Sequence, residues 1–176
     1  MSVTKVSSAM QDLTDDYAFS GTVTGVGKVV QVVNVTTGAV ATGTTTLPHD
    51  DTIAQNTEGD QYMTLAITPT SSSNKLKIEV IGHWSNSSGA DWMSFALFQD
   101  STANTLAVGR YTNDAATRGN TMGFSHYMTA GTTSETTFKV RAGTASAGTT
   151  TFNGSSGSRV HGGLMSSSIT ITEISA

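Results

Sequence analysis

The sequence predicts an all-β domain built from antiparallel strands, and three observations lead to this prediction. Apolar and polar residues alternate through several short segments, which is the pattern of strands that bury one face. Clusters of Gly, Ser, Thr and Asn separate these segments at the regular spacing of β-sandwiches and barrels. No helical pattern alternates with the strands, which excludes a parallel α/β fold. The 176 residues suit one domain.

Residues 1–24 differ from the rest of the chain and are predicted to form an arm. Val6, Met10, Leu13 and Tyr17 are spaced by four, three and four residues, which is a helical stripe. So short a segment needs a surface to pack against. It either folds back on its own domain or docks on a neighbouring subunit. We expect a docking arm at 1–24, followed by a β-sandwich knob at 25–176.

The strands are then predicted in order along the chain. The apolar run 29–33 is too continuous for a surface strand and is expected to be covered on both faces. Residues 42–47 form a short edge strand and 49–60 an acidic loop. Further strands are predicted at 62–68, 76–84, 91–99, 105–111, 121–129, 136–142, 149–153 and 167–174. Some eight to ten antiparallel strands with uneven loops fit a jelly roll best.

The strand at 76–84 shows the alternation most clearly, and its apolar face indicates the core. It follows a turn made of Pro69 and the polar residues 70–74. Its apolar positions share one face, with Ile81 as the exception on the polar face. The predicted core of the paired sheets comprises Leu76, Ile78, Val80, Trp84, Phe95, Leu97, Phe138, Val140, Ile169 and Ile171.

Composition and charge exclude several classes of function. The net charge is −4 and the basic residues are scattered, so we expect no nucleic-acid partner. The chain has no Cys, which excludes disulfides and thiolate metal sites. The N-terminus lacks the apolar core of a signal peptide, and no apolar run is long enough to span a bilayer. We therefore expect a protein made in the cytoplasm, without a membrane partner or classical export.

Two groups of residues were weighed as metal sites, and neither is predicted to bind metal. His49, Asp50 and Asp51, with Glu58 and Asp60 nearby, could offer oxygen ligands to Ca²⁺, but the spacing is not that of an EF-hand and a solvated acidic loop is the commoner explanation. Copies of His83, His126 or His161 could meet on a threefold axis, although each is more simply a surface or interface residue. No cofactor is predicted.

No catalytic constellation emerges from the sequence, so we expect a protein that is not an enzyme. There is no G-x-S-x-G elbow, and the Gly-Val-Gly-Lys at 25–28 lacks a Walker spacing. The acidic residues after the acidic loop show no paired motif of the kind a glycosidase needs. Trp92 and Phe98 are candidate contacts for a glycan, because exposed aromatic side chains stack on sugars. The alternative is that they pack in the core or at a subunit interface.

Four segments together carry a resemblance to a known group of domains: G-K-V-V-Q-V-V at 27–33, I-T-P-T-S-S-S-N-K-L-K-I-E-V at 67–80, T-T-F-K-V-R-A-G at 136–143 and the closing S-S-I-T-I-T-E-I at 167–174. The chain from about residue 25 onwards resembles domains of tailed-bacteriophage virion proteins, found in tail fibres, appendages and head decorations. The resemblance implies a trimeric jelly roll of the tumour-necrosis-factor type. Its motifs are strand and turn positions, so no binding residues carry over.

From this resemblance and the short arm we expect a non-enzymatic structural protein of a phage particle. It would be a homotrimeric knob that decorates or cements the capsid through its N-terminal arm. Its partners would be further copies of itself and the major capsid protein or another virion protein. The alternative is a tail-fibre or appendage tip that binds a glycan receptor on the host surface.

Overall fold

The computed structural model describes residues 27–176, which form twelve β-strands and a 3-10 turn at His161–Gly163. The predicted arm, with Val6, Met10, Leu13 and Tyr17, lies outside the described residues. The strands are β1 (Val29–Thr37), β2 (Ala41–Gly43), β3 (Asp60–Ile67), β4 (Lys75–Asn86), β5 (Asp91–Gln99), β6 (Ala107–Asn113), β7 (Gly119–Thr129), β8 (Thr136–Thr144), β9 (Thr150–Phe152), β10 (Gly154–Ser155), β11 (Ser158–Arg159) and β12 (Ser167–Ile174).

The long strands form two antiparallel sheets that face each other. In the first sheet β1, β12, β4 and β7 lie side by side, and the short β9 and β2 extend from the end of β4. In the second sheet the order is β3, β8, β5, β6. The chain crosses between the sheets from β2 to β3, β3 to β4, β4 to β5, β6 to β7, β7 to β8 and β8 to β9, which is jelly-roll connectivity. The predicted antiparallel jelly-roll sandwich is confirmed.

Alternation along the strands places the core where the sequence predicts it. All ten residues predicted for the core have 0 % exposure. At its centre the ring of Trp84 stacks on Phe95, with centroids 4.6 Å apart, and also contacts Phe152. Gly82 leaves the space for this ring, since a β-carbon at that position would come within 2.0 Å of Cη2 of Trp84. The position of the Trp84 indole therefore requires glycine at residue 82 of the same strand.

Residues 27–176 do not supply the cover that was predicted for both faces of residues 29–33. Among the described strands, β1 is an edge strand whose one partner is β12. Val33 packs against the core, but Val29, Val30 and Val32 are all exposed. An apolar run in one chain cannot reveal whether a second face is covered, because cover supplied by another subunit leaves the same pattern in the sequence.

A buried carboxylate joins the first and last strands to the turn between β3 and β4. Glu173 on β12 faces inward and is fully buried. Its Oε2 accepts a hydrogen bond from Nε2 of Gln31 on β1, at 2.6 Å. Its Oε1 accepts from Nδ2 of Asn74 at 2.6 Å, and from the amide and hydroxyl of Thr70 at 2.8 and 2.9 Å. Residues from three of the four segments that carry the resemblance thus meet at one side chain.

The hydrogen bonds to Glu173 decide its charge. Burial on its own would raise the pKa of this carboxyl, because the charged form loses its hydration. Donation from Gln31, Asn74 and Thr70 outweighs burial and lowers the pKa to about 2. Glu173 is therefore an anion at any ordinary pH, and its negative charge is balanced by fixed dipoles and not by a cation.

Replacing Glu173 by Gln is expected to lower the free energy of unfolding by about 2–4 kcal/mol, because a buried amide cannot accept all of the hydrogen bonds made by the carboxylate. Equilibrium urea unfolding of the wild type and of Glu173→Gln measures the difference. Glu135→Gln is the matched control, because Glu135 is exposed in the loop before β8. It should unfold like the wild type.

Measuring the unfolding free energies of wild type and Glu173→Gln as a function of pH separates the effect of the Glu173 charge from the effect of the side chain's shape. The folded pKa of Glu173 lies below its ordinary value of 4.5, so its contribution is complete above pH 4.5 and is lost as the pH falls towards 2. The stability difference between wild type and Glu173→Gln should therefore shrink over this interval. A difference that stays constant from pH 7 to pH 2.5 would show that the charge of Glu173 does not stabilise the fold.

Candidate functional site

The point at which the chain enters the domain is fixed firmly. The amide of Lys28 donates to the hydroxyl of Ser175, and the amide of Ser175 donates to the carbonyl of Lys28, both at 2.9 Å. The amide of Ala176 donates to Oδ1 of Asn74, one of the side chains that bind Glu173. Lys28 is therefore held at the end of the sandwich where β1 begins, β12 ends and the turn before β4 lies.

The outer face of the first sheet carries apolar side chains that no other part of the described chain covers. Val32 on β1, Ile81 on β4 and Tyr127 on β7 are 55 %, 51 % and 57 % exposed. Lys77 and Glu79 lie on the same face and form a salt bridge of 2.8 Å. Around these residues the face is rich in Thr and Ser, so it combines apolar contacts with neutral hydrogen-bonding groups.

The free edge of the first sheet, strand β7, is also open. Phe124 packs against the core with its ring 5.3 Å from that of Phe95, yet it is only half-buried. Met122, on the same side of the strand, is exposed. β7 therefore offers apolar side chains and unpaired backbone groups along one border of the sandwich, which is a typical place for contact with another chain.

The outer face of the second sheet is crossed by the loop between β2 and β3, residues 44–59, here called the crossing loop. Arg141 on β8 holds its end by donating from Nε to the carbonyl of Glu58 and from Nη2 to that of Gly59, at 2.9 and 2.7 Å. Gly143 lets the loop lie flat on the sheet, since a β-carbon there would be 2.5 Å from the carbonyl oxygen of Thr45. Both residues belong to the resemblance segment 136–143.

The crossing loop overturns the prediction that Phe98 is a glycan contact. Phe98 does lie on the outer face of its sheet, as strand alternation indicates. The loop packs Leu47 and Ala54 on top of it, together with Ala96, and Phe98 is only 1 % exposed. The side chain therefore belongs to a second, small core and cannot contact a ligand at the surface.

Trp92 lies at the border of the crossing loop and is half-buried. The guanidinium carbon of Arg110 on β6 is 4.2 Å from the centroid of its ring, which is cation–π geometry. The ring of His49 lies 4.7 Å from that of Trp92. Sequence reasoning singled out Trp92 and His49 and missed Arg110. The signal that could have found Arg110 is register, since β5 and β6 place it diagonally across from Trp92.

The carboxylates of the acidic loop are used to hold that loop. Oδ1 of Asp50 accepts from the amide and hydroxyl of Thr52 at 2.9 and 2.6 Å, and these bonds lower the pKa of Asp50. Asp60 accepts in the same way from the amide and hydroxyl of Thr45. Across residues 27–176, no group of three or more His, Asp or Glu side chains is arranged to hold a metal ion.

The histidines weighed for a threefold axis lie on one sheet and its adjoining loop. His83 on β4 contacts the hydroxyl of Thr121 at 3.1 Å. Burial, and then the positive charge of His161, lowers the pKa of His83. His126 is half-buried on β7, opposite Ile78. A metal site formed by three symmetry copies of one histidine is not predicted from the sequence, and its test requires the neighbouring chains.

Comparison with known proteins gives a limited result. No family model matches the chain, and no curated protein matches it. Within residues 27–176 no helix has the length and apolar character required to cross a membrane. Solved structures do show similarity, but at low sequence identity.

Three of these structures illustrate the range of sequence identity, TM-score and coverage. The chain is similar to the Eiger TNF from S. frugiperda, with 9 % identity and a TM-score of 0.43, over 81 % of this chain and 92 % of that one. It is similar to a protein of the infectious bursal disease virus Gx strain, with 11 % identity and a TM-score of 0.39, over 82 % of this chain and 39 % of that one. It is also similar to the enzymatically active domain of tailspike protein 4 of bacteriophage CBA120, with 14 % identity and a TM-score of 0.27, over 72 % of this chain and 19 % of that one. These values are too low to transfer a function.

Truncating Phe98 and Trp92 to Ala tests which of the two is structural. Phe98→Ala should cost about 3–5 kcal/mol of unfolding free energy, because it empties the small core beneath the crossing loop. Trp92→Ala, its control on the same strand and face, should cost about 1 kcal/mol. Thermal and urea unfolding measure both. Equal losses for the two variants would contradict the placement of Phe98 beneath the loop.

Proposed function

We propose that this chain is a non-enzymatic structural protein of a bacteriophage particle. It forms a homotrimeric knob, and its N-terminal arm anchors the knob to the capsid. The proposal rests on the sequence resemblance to phage virion domains and on the distribution of exposed apolar side chains. The buried network of Glu173 and its three donors connects three of the four resemblance segments, and its members are strand and turn residues.

The observation that carries the proposal is that most of the large exposed apolar side chains lie on one sheet. They are Val29, Val30 and Val32 on β1, Ile81 on β4, and Met122 and Tyr127 on β7. Several large exposed apolar side chains on one sheet, interspersed with polar residues, favour an interaction surface. This is also the sheet that contains β1, the first strand of the described chain.

The distribution of these side chains supports a ring of copies, and the resemblance implies that the copies number three. The face carries Val32, Ile81 and Tyr127, whereas the β7 border carries Met122 and Phe124. Packing the border of one copy onto the face of the next joins two different patches. Such a heterologous contact closes into a ring when the rotation between copies is a simple fraction of a turn, and three copies close the ring of the proposed knob.

Replacing Ile81 by Glu is expected to weaken the trimer at least about tenfold, a loss of about 1.4 kcal/mol per contact, because it buries a charge without a partner. The folded protomer should remain intact, since Ile81 faces outward. Light scattering after size-exclusion chromatography, over a dilution series, measures the assembly.

Ile53→Glu is the matched control for assembly. Ile53 is 59 % exposed and lies in the crossing loop, over the other sheet. This variant should assemble like the wild type. A wild-type chain that remains monomeric at high concentration, or an Ile81→Glu variant that stays fully trimeric, would contradict the proposed interface.

Deleting residues 2–20 is expected to leave the knob folded and trimeric but to abolish its binding to expanded capsids. The capsids would be those of the parent phage assembled without this protein, and co-sedimentation measures binding. Circular dichroism and light scattering verify that the truncated knob is folded and assembled. Retention of capsid binding by the truncated trimer would refute the anchoring role.

A pair of substitutions tests the stripe within the arm more finely. Met10→Asp with Leu13→Asp places two charges on the predicted apolar stripe, and at least a tenfold loss of capsid binding is expected. Gln11→Asp with Thr14→Asp adds the same charges off the stripe. The second pair should bind almost as well as the wild type. Equal losses for both pairs would indicate a charge effect instead of apolar docking.

A further inference from the structure

An open groove lies on the outer face of the second sheet, away from the apolar surface of the first. It runs between the crossing loop and strand β6 and has a volume of about 520 Å³. This lies within the range of roughly 300–1,000 Å³ typical of small-ligand sites. Its walls are Pro48 and Ile53 on the loop side and Val108 on the strand side, with Ser94 in the floor and Arg110 at one end.

We propose that this groove binds an acidic saccharide, a pyranose ring that carries a carboxylate. The inference goes beyond the structural role proposed above, and it requires neither a particular position on the particle nor the arm. Because it uses the sheet opposite the proposed trimer interface, the groove stays accessible in the assembled knob.

The groove is preformed because both ends of the wall are anchored. On the N-terminal side of the loop wall, the amide of Leu47 donates to the carbonyl of Thr144 at 2.9 Å, and Leu47 is buried against Phe98. On its C-terminal side, the amide of Thr105 donates to the carbonyl of Ala54 at 3.0 Å, and Gln55 forms a β-bridge with Asn104. A ligand would therefore find the wall in place and would not incur the entropic cost of ordering it.

The cation at the end of the groove is available to an anionic ligand. Nη1 of Arg110 lies 2.8 Å from Nε2 and 2.9 Å from Nδ1 of His49, so one edge of the guanidinium contacts this ring. Its Cζ lies 4.2 Å from the centroid of the Trp92 ring. Asp50, an acidic residue of the lining, accepts hydrogen bonds from Thr52. Within residues 27–176 the guanidinium forms no salt bridge, and its remaining N–H groups match a carboxylate.

The floor supplies the second recognition element, an unused hydroxyl. Ser94 is 3 % exposed and lines the groove. In residues 27–176 its hydroxyl makes no hydrogen bond. Register places Ser94 directly opposite Arg110 on the neighbouring strand. A buried hydroxyl next to an exposed guanidinium fits a ligand that combines an alcohol with an acid.

The apolar walls favour a sugar over a simple anion. Ile53 and Val108 are 59 % and 47 % exposed and stand on opposite sides of the groove. Their alkyl groups can pack on the C–H faces of a pyranose ring, while the carboxylate pairs with Arg110 and a ring hydroxyl pairs with Ser94. Inorganic phosphate would use the guanidinium alone and would leave the walls empty.

The experiment compares two sugars that differ only in whether the pyranose ring carries a carboxylate or a hydroxymethyl group. The full chain is titrated with methyl β-D-glucuronide and with methyl β-D-glucoside, and the indole N–H signals of its two tryptophans are followed by NMR. The glucuronide should move the signal of Trp92, beside the groove, and leave that of the fully buried Trp84 unchanged. The glucoside should bind at least tenfold more weakly. No movement of the Trp92 signal, or equal affinity for both sugars, overturns the proposal.

Variants and a competing anion complete the test. Arg110→Ala and Ser94→Ala should each weaken glucuronide binding at least several-fold, and an unchanged Trp84 signal shows that the variants are folded. Arg118→Ala is the matched control, because Arg118 is exposed and paired with Asp114 away from the groove. It should bind like the wild type. Undiminished binding by Arg110→Ala, or inorganic phosphate that binds as tightly as the glucuronide, overturns the assignment to a saccharide.

Discussion

The buried carboxylate of Glu173 is the constraint on which the rest of the fold depends. A carboxylate without solvent is costly, and it is tolerated because donors from two other segments, β1 and the turn before β4, converge on it. Each of these segments is thereby restricted. β1 must carry a long amide at position 31, and the turn before β4 must present Thr70 and Asn74 at the right distance. Because a half-satisfied network is worse than none, the first strand, the turn and the last strand must form together.

Strand alternation predicted the core well because it depends only on which side of a sheet a residue lies. It failed where another part of the chain, or another chain, decides what covers a side. Phe98 lies on the outer face of the second sheet, as strand alternation predicts, but the crossing loop covers it there. The run 29–33 is almost continuously apolar, yet within residues 27–176 nothing covers its outer side. Arg110 was missed for a related reason, because pairing of β5 with β6 depends on a register that no single segment contains.

The two outer faces of the sandwich differ in a way that suits two separate tasks. The first sheet presents Val32, Ile81 and Tyr127 among neutral polar groups, as expected of a surface for contact with further copies. The second sheet is covered by the crossing loop, whose wall and the adjoining strand leave a groove with a cation at one end. Arg141 and Gly143 anchor that loop, so the resemblance segment 136–143 contributes to the second face, whereas the other three segments contribute to the first sheet.

The hydrogen bonds between Lys28 and Ser175 also determine how the domain responds to mechanical force. If the chain is tethered through the residues before Gly27, a pull on the body acts where β1 begins and β12 ends. Antiparallel strands loaded at this end separate one pair at a time, which is a weak geometry. The pair Gln31–Glu173 lies only three residues further along β1 and is tied to the turn before β4 as well as to β12. The carboxylate would therefore stop the peeling at its start and spread the load into the interior of the first sheet.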